Sequence, residues 1–81
     1  MTIFVSKLNN TTQSEELLRM FGAFGSVSSA EVMVDKLTGR SRGFGFVEMD
    51  SEDEATNAIE QLHNSDMNGM AITVKKAPKR T

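Results

Sequence analysis

Residues 42–49, Arg42-Gly43-Phe44-Gly45-Phe46-Val47-Glu48-Met49, decide the fold. In an extended strand successive side chains point to opposite faces, so Gly43, Gly45, Val47 and Met49 share one face and Arg42, Phe44, Phe46 and Glu48 the other. A core face does not carry an Arg at one end and a Glu at the other. A plain solvent face does not carry two Phe two residues apart. Two rings beside a guanidinium instead make a stacking platform of the kind that suits unpaired bases and their phosphates. Glycine inside a strand is destabilising, so the pair Gly43 and Gly45 implies either close packing on the inner face or bends that shape the platform.

On the N-terminal side, Ile3-Phe4-Val5-Ser6-Lys7-Leu8 reads as a strand with Ile3 and Val5 on one face and Phe4 and Ser6 on the other. Asn9-Asn10-Thr11 breaks it. Thr12-Gln13-Ser14-Glu15 has capping-box spacing and opens a helix whose apolar positions Leu17, Met20, Phe21 and Phe24 recur at helical spacing, ended by Gly25. Residues 27–34 form a second strand, with Ala30, Val32 and Val34 on one face and Ser29, Glu31 and Met33 on the other. A polar turn from Asp35 to Ser41, basic at Lys36 and Arg40, leads into the Arg42 strand. After it, Ser51-Glu52-Asp53-Glu54 repeats the capping spacing and starts a helix with Ala55, Ala58, Ile59 and Leu62 as its buried stripe. Asn68-Gly69 is the strongest turn signal in residues 64–70. A last strand over residues 71–76 turns Ile72 and Val74 inward and Thr73 and Lys75 outward.

The element order is βαββαβ, an α+β, ferredoxin-like sandwich with two helices on one face of a four-stranded antiparallel sheet. Residues 1–77 make this one domain, and residues 78–81 a short basic tail, expected to be frayed. Because Ile3, Val5, Val47, Ile72 and Val74 are needed on the helix side, Phe4, Phe44 and Phe46 fall on the open side.

The net charge of −2 speaks at first against a polyanionic partner. Its distribution says otherwise. The helical stretches hold Glu15, Glu16, Glu52, Asp53, Glu54 and Glu60 against Arg19 alone, whereas Lys7, Lys36, Arg40, Arg42, Lys75, Lys76, Lys79 and Arg80 lie on or beside the sheet. The helix acids also have an ordinary role, at solvated helix N-termini. With no cysteine and a single histidine, thiolate and disulfide chemistry is absent and metal chemistry poorly supplied. No segment reaches bilayer-spanning length and the N-terminus shows no cleavage-site pattern, so the expectation is a soluble, cytoplasmic protein without membrane attachment.

The residue runs 3–8 and 42–49 resemble the two ribonucleoprotein motifs of the RNA recognition motif (RRM) family. The likeness extends over nearly the whole chain, and as a whole it resembles the short single-module proteins of bacteria and chloroplasts. That resemblance implies that Phe4 and Phe46 stack on successive bases, that Phe44 packs against riboses and that Arg42 binds phosphate. Lys7 stands where the family usually has Asn and moves the contact there toward phosphate. Met49 stands where an aromatic is usual and falls on the core side, as a gap-filling side chain. Small cold-shock proteins carry a similar Phe-rich strand, but near their N-terminus with its partner strand following. Here Phe4 precedes Phe46 and an amphipathic helix lies between them.

The expected RNA-binding set is therefore Phe4, Phe44, Phe46, Arg42, Lys7, Lys36, Arg40, Glu48, Met33 and Lys75. The expected ligand is single-stranded RNA, with single-stranded DNA as a weaker second ligand, and the protein is expected to act as a monomer with no cofactor and no small-molecule substrate. Glu31 and Glu48 alternate outward beside the aromatics, where a carboxylate either accepts hydrogen bonds from base amino groups or serves solubility and cross-strand pairing. Catalysis is not expected: no glycine-rich phosphate loop is present, Ser6 and Ser41 lack a candidate base, and His63 reads as a surface or C-capping residue. The rival reading is a protein-binding module that uses the exposed Phe patch or the helix face.

Overall fold

The computed structural model describes residues 1–78, so the proposed tail residues Lys79, Arg80 and Thr81 lie outside the described residues. Strand β1 (Thr2–Ser6) is followed by α1 (Ser14–Gly22), β2 (Val27–Val34), β3 (Ser41–Met49), α2 (Glu52–Leu62), the short β4 (Asp66–Met67) and β5 (Met70–Ala71), and β6 (Thr73–Ala77). The main sheet has the order β2-β3-β1-β6, with every neighbouring pair antiparallel. This is the expected βαββαβ sandwich with one addition, the β4–β5 hairpin. Its turn is the Asn68-Gly69 pair, at φ 53° and 85°. Among the described residues no helix is long and apolar enough to cross a membrane.

Alternation sorts the core. Ile3, Val5, Val47, Met49, Ile72 and Val74 are buried on one side of the sheet against Leu17 and Phe21 from α1 and Ala55, Ala58 and Leu62 from α2. Met49 is fully buried, as its place in the alternation requires. Gly45 lies under α1: a Cβ there would meet Glu31 O at 2.5 Å, Val32 Cα at 3.1 Å and Leu17 Cδ1 at 3.2 Å. Gly43, at φ +82°, supplies the bend. Both reasons for the glycine pair therefore apply, one to each residue.

Local corrections have identifiable causes. α1 begins one residue late, with Gln13 as N-cap and the Glu16 carboxylate accepting from the Gln13 N–H at 2.9 Å. The Thr12 hydroxyl that would have capped it is buried and accepts from Asn68 Nδ2 at 3.0 Å, tying the β4–β5 hairpin to the start of α1. α1 also ends earlier than expected, with Ala23 as C-cap, so Phe24 lies beyond the helix and is half-buried at the core edge. Val34 shares the face of the buried Val32 by alternation, yet it is 54% exposed at the end of β2, where the pairing with β3 turns irregular and passes from Val32–Gly45 to Val34–Ser41. α2 matches expectation: Ser51 Oγ accepts from Glu54 N at 3.3 Å. His63 is its C-cap, and its Nδ1 accepts from Val74 N–H at 3.2 Å, fastening the helix end to β6.

Candidate nucleic-acid interface

On the side of the sheet away from the helices, the strand register lays residues in rows. The middle row is Glu31, Phe46, Phe4 and Lys75, one from each strand in the order β2-β3-β1-β6. The row toward the β1 N-terminus is Ser29, Glu48, Thr2 and Ala77, and on the other side Phe44 opposes Ser6, which opposes Thr73. The aromatic residues of β1 and β3 thus meet because both strands obey the same two-residue period.

The rings form one cluster. Phe4 lies 5.7 Å from Phe44 and 5.5 Å from Phe46, and Phe44 meets Phe46 edge-on at 6.2 Å, all between ring centroids. These separations are those of mutually favourable aromatic pairs, so the rings support each other while remaining only half-buried. Cations border them on two sides, with Arg42 Cζ 5.3 Å from the Phe44 centroid and Lys75 Nζ 5.6 Å from that of Phe4. Both distances allow cation–π attraction, which holds the charges beside the rings.

Other expected site residues lie around this centre. Lys7 is exposed just beyond β1 at φ 61°; this left-handed residue takes it out of the strand alternation and turns Leu8 inward, where Leu8 N–H donates to Gly43 O at 2.9 Å. Met33 is half-buried at the β2 irregularity, where the register skips from Val32 to Val34. Glu48 lies on the open face, where its carboxylate accepts from the hydroxyl of Thr2. Lys76, by contrast, opposes Ile3 and falls on the helix side, away from Lys75.

Lys36 and Arg40 are exposed in the β2–β3 loop, which is internally braced. Asp35 Oδ1 accepts from Leu37 N–H at 2.7 Å and Thr38 N–H at 3.2 Å, and backbone bonds of 2.7 and 2.8 Å join Asp35 to Arg40 and Gly39. The Leu37 and Thr38 N–H bonds, assisted by the charge of Arg42, hold the Asp35 carboxyl below its ordinary range. The loop tip carries Leu37, 96% exposed, between the two cations.

Sequence reasoning put Ser29 and Thr73 on the outward faces of their strands without naming either as a site residue, and it did not place Thr2, which is buried in its row beside Glu48.

The family model described as the RNA recognition motif matches residues 3–73. The chain belongs to the RNA recognition motif family. Among proteins similar to this RRM chain is the putative RNA-binding protein RbpB of Nostoc sp., 44% identical over 80 residues, which are 99% of this chain and 78% of that protein. Another is glycine-rich RNA-binding protein 4, mitochondrial, of Arabidopsis thaliana, 43% identical over 79 residues, or 98% of this chain and 58% of the relative. The chain spans only 34% and 28% of the lengths of two chloroplastic ribonucleoproteins, from Spinacia oleracea and Nicotiana sylvestris. Among solved structures, RNA binding protein PG1 superposes with a TM-score of 0.97 at 44% identity, covering 100% of this chain and 98% of that one. A Sex-lethal protein–RNA complex superposes with a TM-score of 0.87 at 35% identity, over 94% of this RRM chain and 47% of that one.

Proposed function

We propose that this chain binds a short stretch of single-stranded RNA on its open sheet face, as a monomer and without catalysing a reaction, with single-stranded DNA bound more weakly. The observation that carries this reading is the half-buried Phe4–Phe44–Phe46 cluster with Arg42 and Lys75 against its rings. Family membership and the RNA-binding names of the relatives support it. Phe4 and Phe46 each stack on one base, Phe44 packs against sugar, and Arg42, Lys75, Lys7, Lys36 and Arg40 bind phosphates. Met33 adds apolar contact at the irregular end of the β2–β3 pairing, and Glu48 contacts the bound strand at the Thr2 row. Stacking contributes about 1 to 3 kcal/mol per base, so a platform for two or three bases gives affinity nearer micromolar than nanomolar.

The test is titration of labelled single-stranded RNA and DNA of matched sequence into the purified protein, parallel with the Phe46→Ala variant. RNA binding that weakens in the folded variant is expected. Unchanged RNA binding by folded Phe46→Ala would assign the aromatic patch to another partner.

A further inference from the structure

The two sides of the open face differ in charge, and the difference bears on which base is read. In the middle row Lys75 stands next to Phe4 on the β6 side, while Glu31 stands next to Phe46 on the β2 side. Arg42 lies against Phe44 at the neighbouring row. A phosphate backbone crossing this face is drawn toward Lys75 and Arg42 and repelled from Glu31. A base lying on Phe46 then has its sugar toward the cations and its outer, Watson–Crick edge toward β2. Directly opposed side chains on neighbouring strands have Cβ atoms about 4.5 to 5.5 Å apart, so the exposed Glu31 side chain reaches the edge of a base on the Phe46 ring. Glu48 is placed differently: it opposes Thr2 and Ser29, one row away from Phe46.

Resting on the reading of this face as an RNA-binding surface, we propose that Glu31 is a specificity-determining residue that selects guanine at the base stacked on Phe46. A carboxylate only accepts hydrogen bonds and offers two oxygens side by side. Guanine alone among the four bases presents two adjacent donors on its Watson–Crick edge, N1–H and the 2-amino group, and so pairs with both oxygens. Adenine and cytosine present one amino group beside a ring nitrogen that is an acceptor. Uracil presents one N–H between two carbonyl oxygens, which repel the carboxylate.

The experiment uses a uridine heptamer with a single central guanosine, and its inosine, adenosine and all-uridine counterparts, titrated into the parent, Glu31→Gln and Glu48→Gln. For the parent, guanosine should exceed uridine by about 5- to 150-fold, the range of one good bidentate base contact. Inosine, which keeps N1–H but lacks the 2-amino group, should lose about tenfold relative to guanosine. Glu31→Gln should abolish the difference between guanosine and inosine and strengthen binding to the all-uridine strand. Three outcomes would overturn the assignment: no guanosine preference in the parent, equal strengthening of all four oligonucleotides by Glu31→Gln, or a preference erased by Glu48→Gln and kept by Glu31→Gln. Equal strengthening leaves the RNA-binding surface standing and removes only base selection, whereas failure of all four to bind the parent removes both.

Discussion

Phe4 and Phe46 stand directly opposite each other on neighbouring strands, with ring centroids 5.5 Å apart and planes tilted by 55°. That pairing leaves two half-buried aromatic surfaces on the side of the sheet away from the core. Phe21, fully buried on the core face of α1, performs the opposite task.

Truncation should therefore split the phenylalanines into two classes. Phe21→Ala removes a buried ring and should cost about 3 to 5 kcal/mol, a large part of the roughly 5 to 15 kcal/mol that keeps a small domain folded. Phe24→Ala, at the half-buried core edge, should cost less. Phe4→Ala and Phe46→Ala should stay folded and lose about 1 to 3 kcal/mol of RNA binding, or about 5- to 150-fold. Phe44→Ala should follow them with a smaller loss, since sugar contact is weaker than base stacking. Thermal melts and titrations on the same preparations check this, and a Phe46→Ala protein that is folded and fully active would contradict it.

Gly45 should tolerate no side chain. A methyl group there would lie 2.5 Å from Glu31 O, and backbone cannot yield as a flexible side chain can. Gly45→Ala should destabilise the fold by about 1 to 3 kcal/mol through overpacking. At Gly43 the nearest atom to an added Cβ is 3.6 Å away, so Gly43→Ala should suffer only the left-handed backbone penalty of about 1 to 2 kcal/mol. Denaturant melts of the two variants compare the mechanisms directly.

The two-residue period of β3 was enough to assign both of its faces before any pairing was known, and helical spacing identified Leu17 and Phe21 as core. What escaped was set by contacts distant in sequence. Thr12 looks like a helix cap until Asn68, 56 residues away, takes its hydroxyl. Val34 follows the core alternation but stands at the end of β2, where its pairing with β3 is irregular, and it is exposed there. The β4–β5 hairpin showed its turn but not its strands, which are two residues each and too short to show a period. Most of the proposed binding set follows from residue type and strand alternation alone. The row that joins Glu31, Phe46, Phe4 and Lys75 was not, because it depends on the register of three strand pairs.

The β2–β3 loop should loosen in acid. The Asp35 carboxyl is held below its ordinary value of 3.8, first by the Leu37 N–H, then by the Thr38 N–H and the charge of Arg42. A depressed folded-state value means that the bracing is fully present above the unfolded value and is lost as pH falls through the folded one. The loop should accordingly be intact at pH 5 and above, with the Leu37 and Thr38 amide resonances shifting together below about pH 4. Asp35→Asn should remove that shared titration. Amide shifts that titrate well above this window would assign them to another group.

Salt should weaken RNA binding despite the net charge of −2. Counterion release depends on the cations that meet phosphates, and Arg42 and Lys75 border the rings while Lys36 and Arg40 project from the braced loop and Lys7 from the end of β1. About three to five such contacts at roughly 0.7 each give a log–log slope of about −2 to −3.5. Lys76, on the helix side of the sheet, and Arg19, paired with Glu15 on α1 at 4.0 Å, should contribute little. Lys75→Gln should make the slope shallower by about 0.7, while Lys76→Gln should leave it nearly unchanged. Titrations across a series of salt concentrations measure both, and equal effects of the two lysines would show that total charge, rather than the face it occupies, sets the affinity.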